Sequence, residues 1–200
     1  SKLLQIGIVI LGLSISLTKA FSVTDFYMPY ISLLVIVTFF LGIYIGKLIG
    51  LDKKLTILIA SGAAICGGTA MVAIAPIIKA KPKDLLTAIT IIFLLNAVAI
   101  IIFPIIGLYL GLSQDQFGAW AAMAIHDTSS VVGAAMIYGE EAVESAATLK
   151  LGRTLWLIPL ILFLTYKHQA TPSNKSKLPF FVMFFILAIA IGSFIDLNNQ

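Results

Sequence analysis

The sequence predicts an all-α integral membrane protein, a polytopic helix bundle with two interrupted segments that are either broken or re-entrant. Hydrophobic residues make up 60% and charged residues 11% of the 200-residue chain, with a mean hydropathy of +1.08, whereas a soluble domain carries about 25% charged residues. The apolar residues gather into seven runs, and a helix needs roughly 20 of them to cross a bilayer. These runs are apolar on every face, which excludes the alternating strands of about ten residues that build a transmembrane barrel.

In chain order the runs are residues 3–17, 28–51, 55–78, 85–112, 117–138, 146–166 and 178–195. Short polar connections separate them at 18–25, 52–54, 79–84, 113–116, 139–145 and 167–177. None of these could fold alone, so residues 1–200 read as one transmembrane domain. Its first residue is Ser1 and no basic n-region precedes the first run, so the expectation is a piece of a longer transporter without a cleavable signal. Cys66 is the sole cysteine and lies within an apolar run, which excludes an intrachain disulfide. The net charge of +4 comes from lysines scattered over short gaps rather than from a basic stripe, so it reads as a topology signal and not as a nucleic-acid surface.

Two runs are unlike plain spanning helices. Residues 55–79 carry Gly62, the string Ile65-Cys66-Gly67-Gly68-Thr69-Ala70 and then Pro76; residues 117–139 carry Ile125-His126-Asp127-Thr128-Ser129-Ser130 and then Gly133. Paired glycines favour unwinding, and a carboxyl group at membrane depth costs at least ~2.5 kcal/mol on insertion scales. The two runs also resemble each other. Gly50-Leu51 and Gly111-Leu112 precede them, and Ala64 to Thr69 can be laid over Ala124 to Ser129 with one gap. Paired interrupted segments are the best sequence pointer to a transporter binding site, where freed backbone groups meet the solute; paired glycines serve equally in close helix packing.

Charge placement bears on how these segments run. If both cross fully, Lys47, Lys53 and Lys54 fall opposite Lys79, Lys81 and Lys83, against the positive-inside bias. If both dip in and return, those lysines share one side with Lys2, Lys167, Lys175 and Lys177, while Glu140, Glu141 and Glu144 lie on the other. Each re-entrant arm would then have only about ten to twelve residues, and its non-helical tip would survive only when buried in protein or facing water.

Four motifs occur in order: residues 3–13, the Ile65 to Ala70 string with Ala75-Pro76-Ile77-Ile78-Lys79-Ala80-Lys81 behind it, Ala124-Ile125-His126-Asp127, and Leu149-Lys150-Leu151-Gly152-Arg153. Together they resemble the YeiH-type family of bacterial inner-membrane proteins, described as sulfate exporters, over nearly all of the chain. The resemblance implies a multi-pass inner-membrane transporter for an anion, with members longer than this chain at both ends. Where that family commonly reads His-Glu followed by Val-Ala-Gln, this chain has His126-Asp127-Thr128-Ser129-Ser130, which keeps an acid but leaves the substrate open. More distantly, the Cys-Gly-Gly-Thr-Ala string resembles the broken helix of bile-acid and sodium symporter-like folds, which crosses the membrane fully. Crossing and re-entry both stay open on the sequence.

Enzyme chemistry finds no support. His126 and Asp127 are neighbours about 100° apart on a helix, and no Gly-x-Ser-x-Gly elbow occurs. His126, His168 and Cys66 are too few for a zinc site, and no Walker-type phosphate loop is present. The expectation is a secondary transporter without cofactor or metal that moves a small anion (sulfate, sulfonate or carboxylate-like), coupled to protons or to sodium. An ion channel or a structural membrane scaffold is the alternative, and a homo-oligomer stays open. The candidate substrate-binding residues are Gly67, Gly68, Thr69, His126, Asp127, Thr128, Ser129, Lys150 and Arg153.

Each candidate also has a plainer reading. His126 could be a core histidine bonded to a carbonyl, and its usual pKa range suits proton coupling. Asn96 is either interhelical glue or a solute contact. Lys150 and Arg153 stand three apart on one helix face. Lys150 could snorkel to headgroups, whereas Arg153 either offers an anion its planar fork or pairs with Glu140, Glu141 or Asp127.

Overall fold

The computed structural model describes residues 17–168 and Leu187, with side chains described from Phe26 onward. The expected runs at 3–17 and 178–195 lie outside the described residues, apart from Leu17 and Leu187, as do Lys2, Lys175 and Lys177. Every element described is a helix: α1 (Leu17–Leu48), α2 (Lys53–Ala64), α3 (Gly68–Ile74), α4 (Pro82–Tyr109), α5 (Gln114–Ala124), α6 (Thr128–Tyr138), α7 (Glu140–Thr154) and α8 (Leu157–Lys167). Three stretches are long and apolar enough to span a bilayer, namely Phe26–Leu48, Pro82–Tyr109 and Glu140–Lys167. With its two interrupted segments, this is the all-α polytopic membrane bundle expected.

Between the spans lie two helical hairpins, and each is set up by the same local chemistry. Gly50 at φ +72° and Gly111 at φ +63° take the left-handed conformation that ends α1 and α4. The N–H of Leu51 reaches back to the Gly46 carbonyl at 2.9 Å and that of Leu112 to Gly107 at 3.1 Å, which is the Schellman closure of a helix end. Two residues past each glycine sits the cap of the next helix. Asp52 accepts from the N–H groups of Lys54 and Leu55, and Ser113 forms a reciprocal capping box with Gln116. Such caps satisfy backbone donors that would otherwise be orphaned at a helix start.

Both hairpins return to the side they left, so the segments re-enter rather than cross. In the first, Lys54 at the start of α2 donates from Nζ to the Lys79 carbonyl beyond α3 at 2.7 Å. In the second, the Tyr138 hydroxyl at the end of α6 donates to the Leu112 carbonyl just before α5 at 2.5 Å, and Gln114 Oε1 accepts from the Glu141 N–H. The full crossing implied by the bile-acid symporter likeness is therefore not what these segments do. Because α4 runs from one side to the other between them, the hairpins enter from opposite faces. Arms of 11 and 12 residues rise about 16–18 Å, so the tips reach the middle of a hydrocarbon core about 30 Å thick. Lys47, Lys53, Lys54, Lys79, Lys81 and Lys83 end together on one face. Glu140, Glu141 and Asp115 sit on the other.

The polar stretch at residues 140–145, expected as a connection, is instead the start of α7. Glu140 and Glu141 lie in its first turn, where carboxylates complement the positive helix end. The sixth run is a single crossing with a tightened turn at Leu155 and Trp156, whose N–H groups bond three residues back. Pro159 explains it, since its ring clashes with the carbonyl four residues earlier. Close approach holds the rest. A Cβ on Gly42 would stand 2.9 Å from Ala60 Cβ, and one on Gly118 would stand 2.7 Å from the Ala142 carbonyl oxygen. These glycines let α1 lie against α2 and α5 against α7.

Candidate functional site

The two hairpin breaks meet in the middle of the molecule. Gly67 caps α3 at φ +58°, and a Cβ there would lie 3.2 Å from the Cβ of Asp127. Only glycine meets both demands. Around this contact the breaks expose four half-helix ends, and inside a bilayer each orphan carbonyl or N–H must be satisfied by the protein itself.

The carbonyl ends of α2 and α5 are closed by one face of α7. Arg153, 1% exposed, donates from Nε to the Ala64 carbonyl at 2.8 Å and from Nη2 to Ala63 at 2.6 Å. Its Nη1 donates to Ala122 at 3.1 Å and to Met123 at 2.7 Å. Lys150, 0% exposed, donates from Nζ to Ile125 at 2.6 Å and to Ala122 at 3.3 Å. Two basic side chains thus donate into the negative ends of two helix dipoles, where positive charge is favoured. The fork that the sequence suggested for an anion is closed on carbonyl oxygens, and Lys150 does not snorkel.

At the second break, Asp127 caps α6. Its Oδ1 accepts from the Ser130 N–H at 3.0 Å and its Oδ2 from the Ser130 hydroxyl at 2.6 Å. Asn96, 2% exposed on α4, donates from Nδ2 to Asp127 Oδ2 and accepts at Oδ1 from the His126 N–H at 3.1 Å. One amide therefore holds both polar residues of the break. The His126 ring reaches across to the first hairpin, with Nδ1 3.2 Å from the Ala63 carbonyl, as in its plainer reading. Every buried side-chain nitrogen and oxygen among the described residues has a partner.

All nine candidates therefore lie on the hairpin breaks or on the α7 face that closes them. Gly67, His126, Asp127, Lys150 and Arg153 converge, while Thr69 and Ser129, each one residue inside the second arm of its hairpin, are exposed and Gly68 and Thr128 are half-buried. Asn96 is more central than its place in the sequence reading implied. The signal was an amide side chain within a 28-residue apolar helix, where an unpaired polar group would be costly.

Comparison with known proteins places this chain in a lineage. A family model described as Conserved hypothetical protein 698 matches residues 1–200. A "UPF0324 membrane protein" of Porphyromonas gingivalis is 43% identical over 194 residues, covering 96% of this chain and 59% of the relative. Proteins of the same description from Bacteroides thetaiotaomicron and Shewanella oneidensis are each 44% identical, covering 96% of this chain and 58% and 60% of those relatives. The chain thus spans about three-fifths of the length of these relatives. No solved structure matches it. With the family model covering the chain from end to end and relatives this similar, the protein belongs to the Conserved hypothetical protein 698 family of UPF0324 membrane proteins.

Proposed function

We propose that the chain is the core of a secondary transporter that carries a small anion across the bacterial inner membrane, its lysine-rich face toward the cytoplasm in keeping with the positive-inside bias. One observation carries this reading: two hairpins enter from opposite faces and touch at mid-depth through Gly67 and Asp127. Interrupted helices in inverted arrangement around a midplane site are how secondary transporters combine a solute site with alternating access. A scaffold has no need to hold Lys150, Arg153 and Asp127 in hydrocarbon.

The anion follows from the charges at the tips rather than from the Arg153 fork. A lysine, an arginine and a carboxyl group meet there, and Gly67 caps α3 without a side-chain hydrogen bond. Thr69 and Ser129, both exposed at the start of their arms, carry the hydroxyls proposed to donate to sulfate, sulfonate or carboxylate oxygens. Asp127 and His126 are the groups proposed to couple transport to protons, with sodium as the competing driver.

The test uses the full-length protein in proteoliposomes. Saturable counterflow of a labelled small anion is expected, lowered at least tenfold in a Thr69→Ala/Ser129→Ala variant. Ohmic single-channel current would replace the carrier by a pore. Asp127→Asn keeps the helix cap and should remove the proton dependence of uptake. Full retention of that dependence in Asp127→Asn and His126→Ala leaves sodium as the driver.

A further inference from the structure

Away from the hairpin tips, a groove runs between α1 and α8 on the lysine-rich side. Its outer part has a cavity volume of about 570 Å³, and a second volume of about 210 Å³ continues it toward Trp156. Phe39, Phe40 and Phe163 line both parts, so the two cavities adjoin along the helices. Lys47, Lys53 and Lys167 come from three different elements and rim the outer part together with His168. The Lys167 ammonium stands 5.6 Å from the Phe163 ring centroid. Lys54, by contrast, is committed to the Lys79 carbonyl.

We infer that this groove binds an anionic phospholipid, its phosphate among Lys47, Lys53 and Lys167 and one acyl chain laid along Phe39, Phe40 and Phe163 toward Trp156. Charge and depth both fit. Basic pockets between transmembrane helices on the cytoplasmic side attract acidic headgroups, each lysine near the surface adding about a fivefold preference. Trp156 lies 11 residues before Lys167, about 17 Å along a helix, close to the ~15 Å from headgroup to bilayer centre. A soluble anion would have no use for the apolar part of the groove.

The experiment reads Trp156 fluorescence in full-length protein in which Trp156 is the only tryptophan, Trp120 and any tryptophan outside residues 1–200 being replaced by Phe. The protein is reconstituted in phosphatidylcholine vesicles containing about 10 mol% of phosphatidylglycerol or phosphatidylcholine brominated in mid-chain, a quencher that acts on contact. Brominated phosphatidylglycerol is expected to quench several-fold more than the same fraction of brominated phosphatidylcholine, in line with about tenfold enrichment at the groove. In Lys47→Gln/Lys53→Gln/Lys167→Gln the two lipids should quench equally, with phosphatidylcholine quenching unchanged as a sign that the fold is intact. Equal quenching in the unmodified rim overturns charge selection. Quenching by neither lipid overturns the site altogether, because the groove is then filled by protein.

Discussion

Removing the Arg153 guanidinium would leave the Ala64 and Met123 carbonyls without the donors they now use, the Ala63 carbonyl with the His126 ring alone and the Ala122 carbonyl with Lys150 alone. Breaking a buried charged network by deleting one partner costs about 3–5 kcal/mol, so Arg153→Gln should unfold well below the parent in a thermal melt of the detergent-solubilised protein. Arg153→Lys keeps the charge but not the planar fork, and should fall between the two. Gly133→Ala is the matched control. Nothing lies within 4 Å of a Cβ there, so it should stay within about 0.5 kcal/mol of the parent. A melting point unchanged by Arg153→Gln would show that other groups close the half-helices. The sequence made Arg153 conspicuous as a cation in an apolar run but could not say what it met, because its partners are backbone atoms that every residue possesses.

At the scale of elements, Gly42 and Gly46 form a four-residue spacing of small residues on α1, and both meet α2. A Cβ on Gly46 would stand 2.7 Å from the Thr56 hydroxyl oxygen. Small residues at this spacing let transmembrane backbones approach closely. Gly46→Leu should therefore lever the first hairpin away from α1, with a loss of about 2 kcal/mol or more from overpacking. Gly111→Ala, where no neighbour lies within 4 Å, should lose only the ~1 kcal/mol of a left-handed alanine. Thermal melts read both, and the order of the two losses is the test. The shared glycine–leucine pair at 50–51 and 111–112 was legible in the sequence. Which helix Gly42 and Gly46 would face was not.

For the whole molecule, re-entry makes a sharp prediction about sidedness. In a cysteine-free background, cysteines placed at Lys53 and Lys81 should react with a membrane-impermeant thiol reagent from the same side. Cysteines at Ser113 and Glu140 should both react from the opposite side. Labelling of Lys53→Cys and Lys81→Cys from opposite sides would convert the first hairpin into a crossing helix and remove the inverted arrangement on which the proposed function rests.

Composition and run length alone determined that this is a helical membrane protein, because hydrocarbon admits only internally bonded backbone and each run is long enough to meet that demand. The glycines at 67 and 68 and the polar string from His126 to Ser130 marked the two interruptions for the same reason, since broken backbone and ionisable groups at depth must be compensated. Crossing and re-entry place the same side chains in the same hydrocarbon, so local pattern could not separate them; a contact between residues 25 apart, Lys54 to Lys79, decided it. Likewise only the tertiary structure showed that Lys150 and Arg153 close the carbonyl ends of α2 and α5, because a helix end turned toward another helix's cation leaves no trace in its own residues.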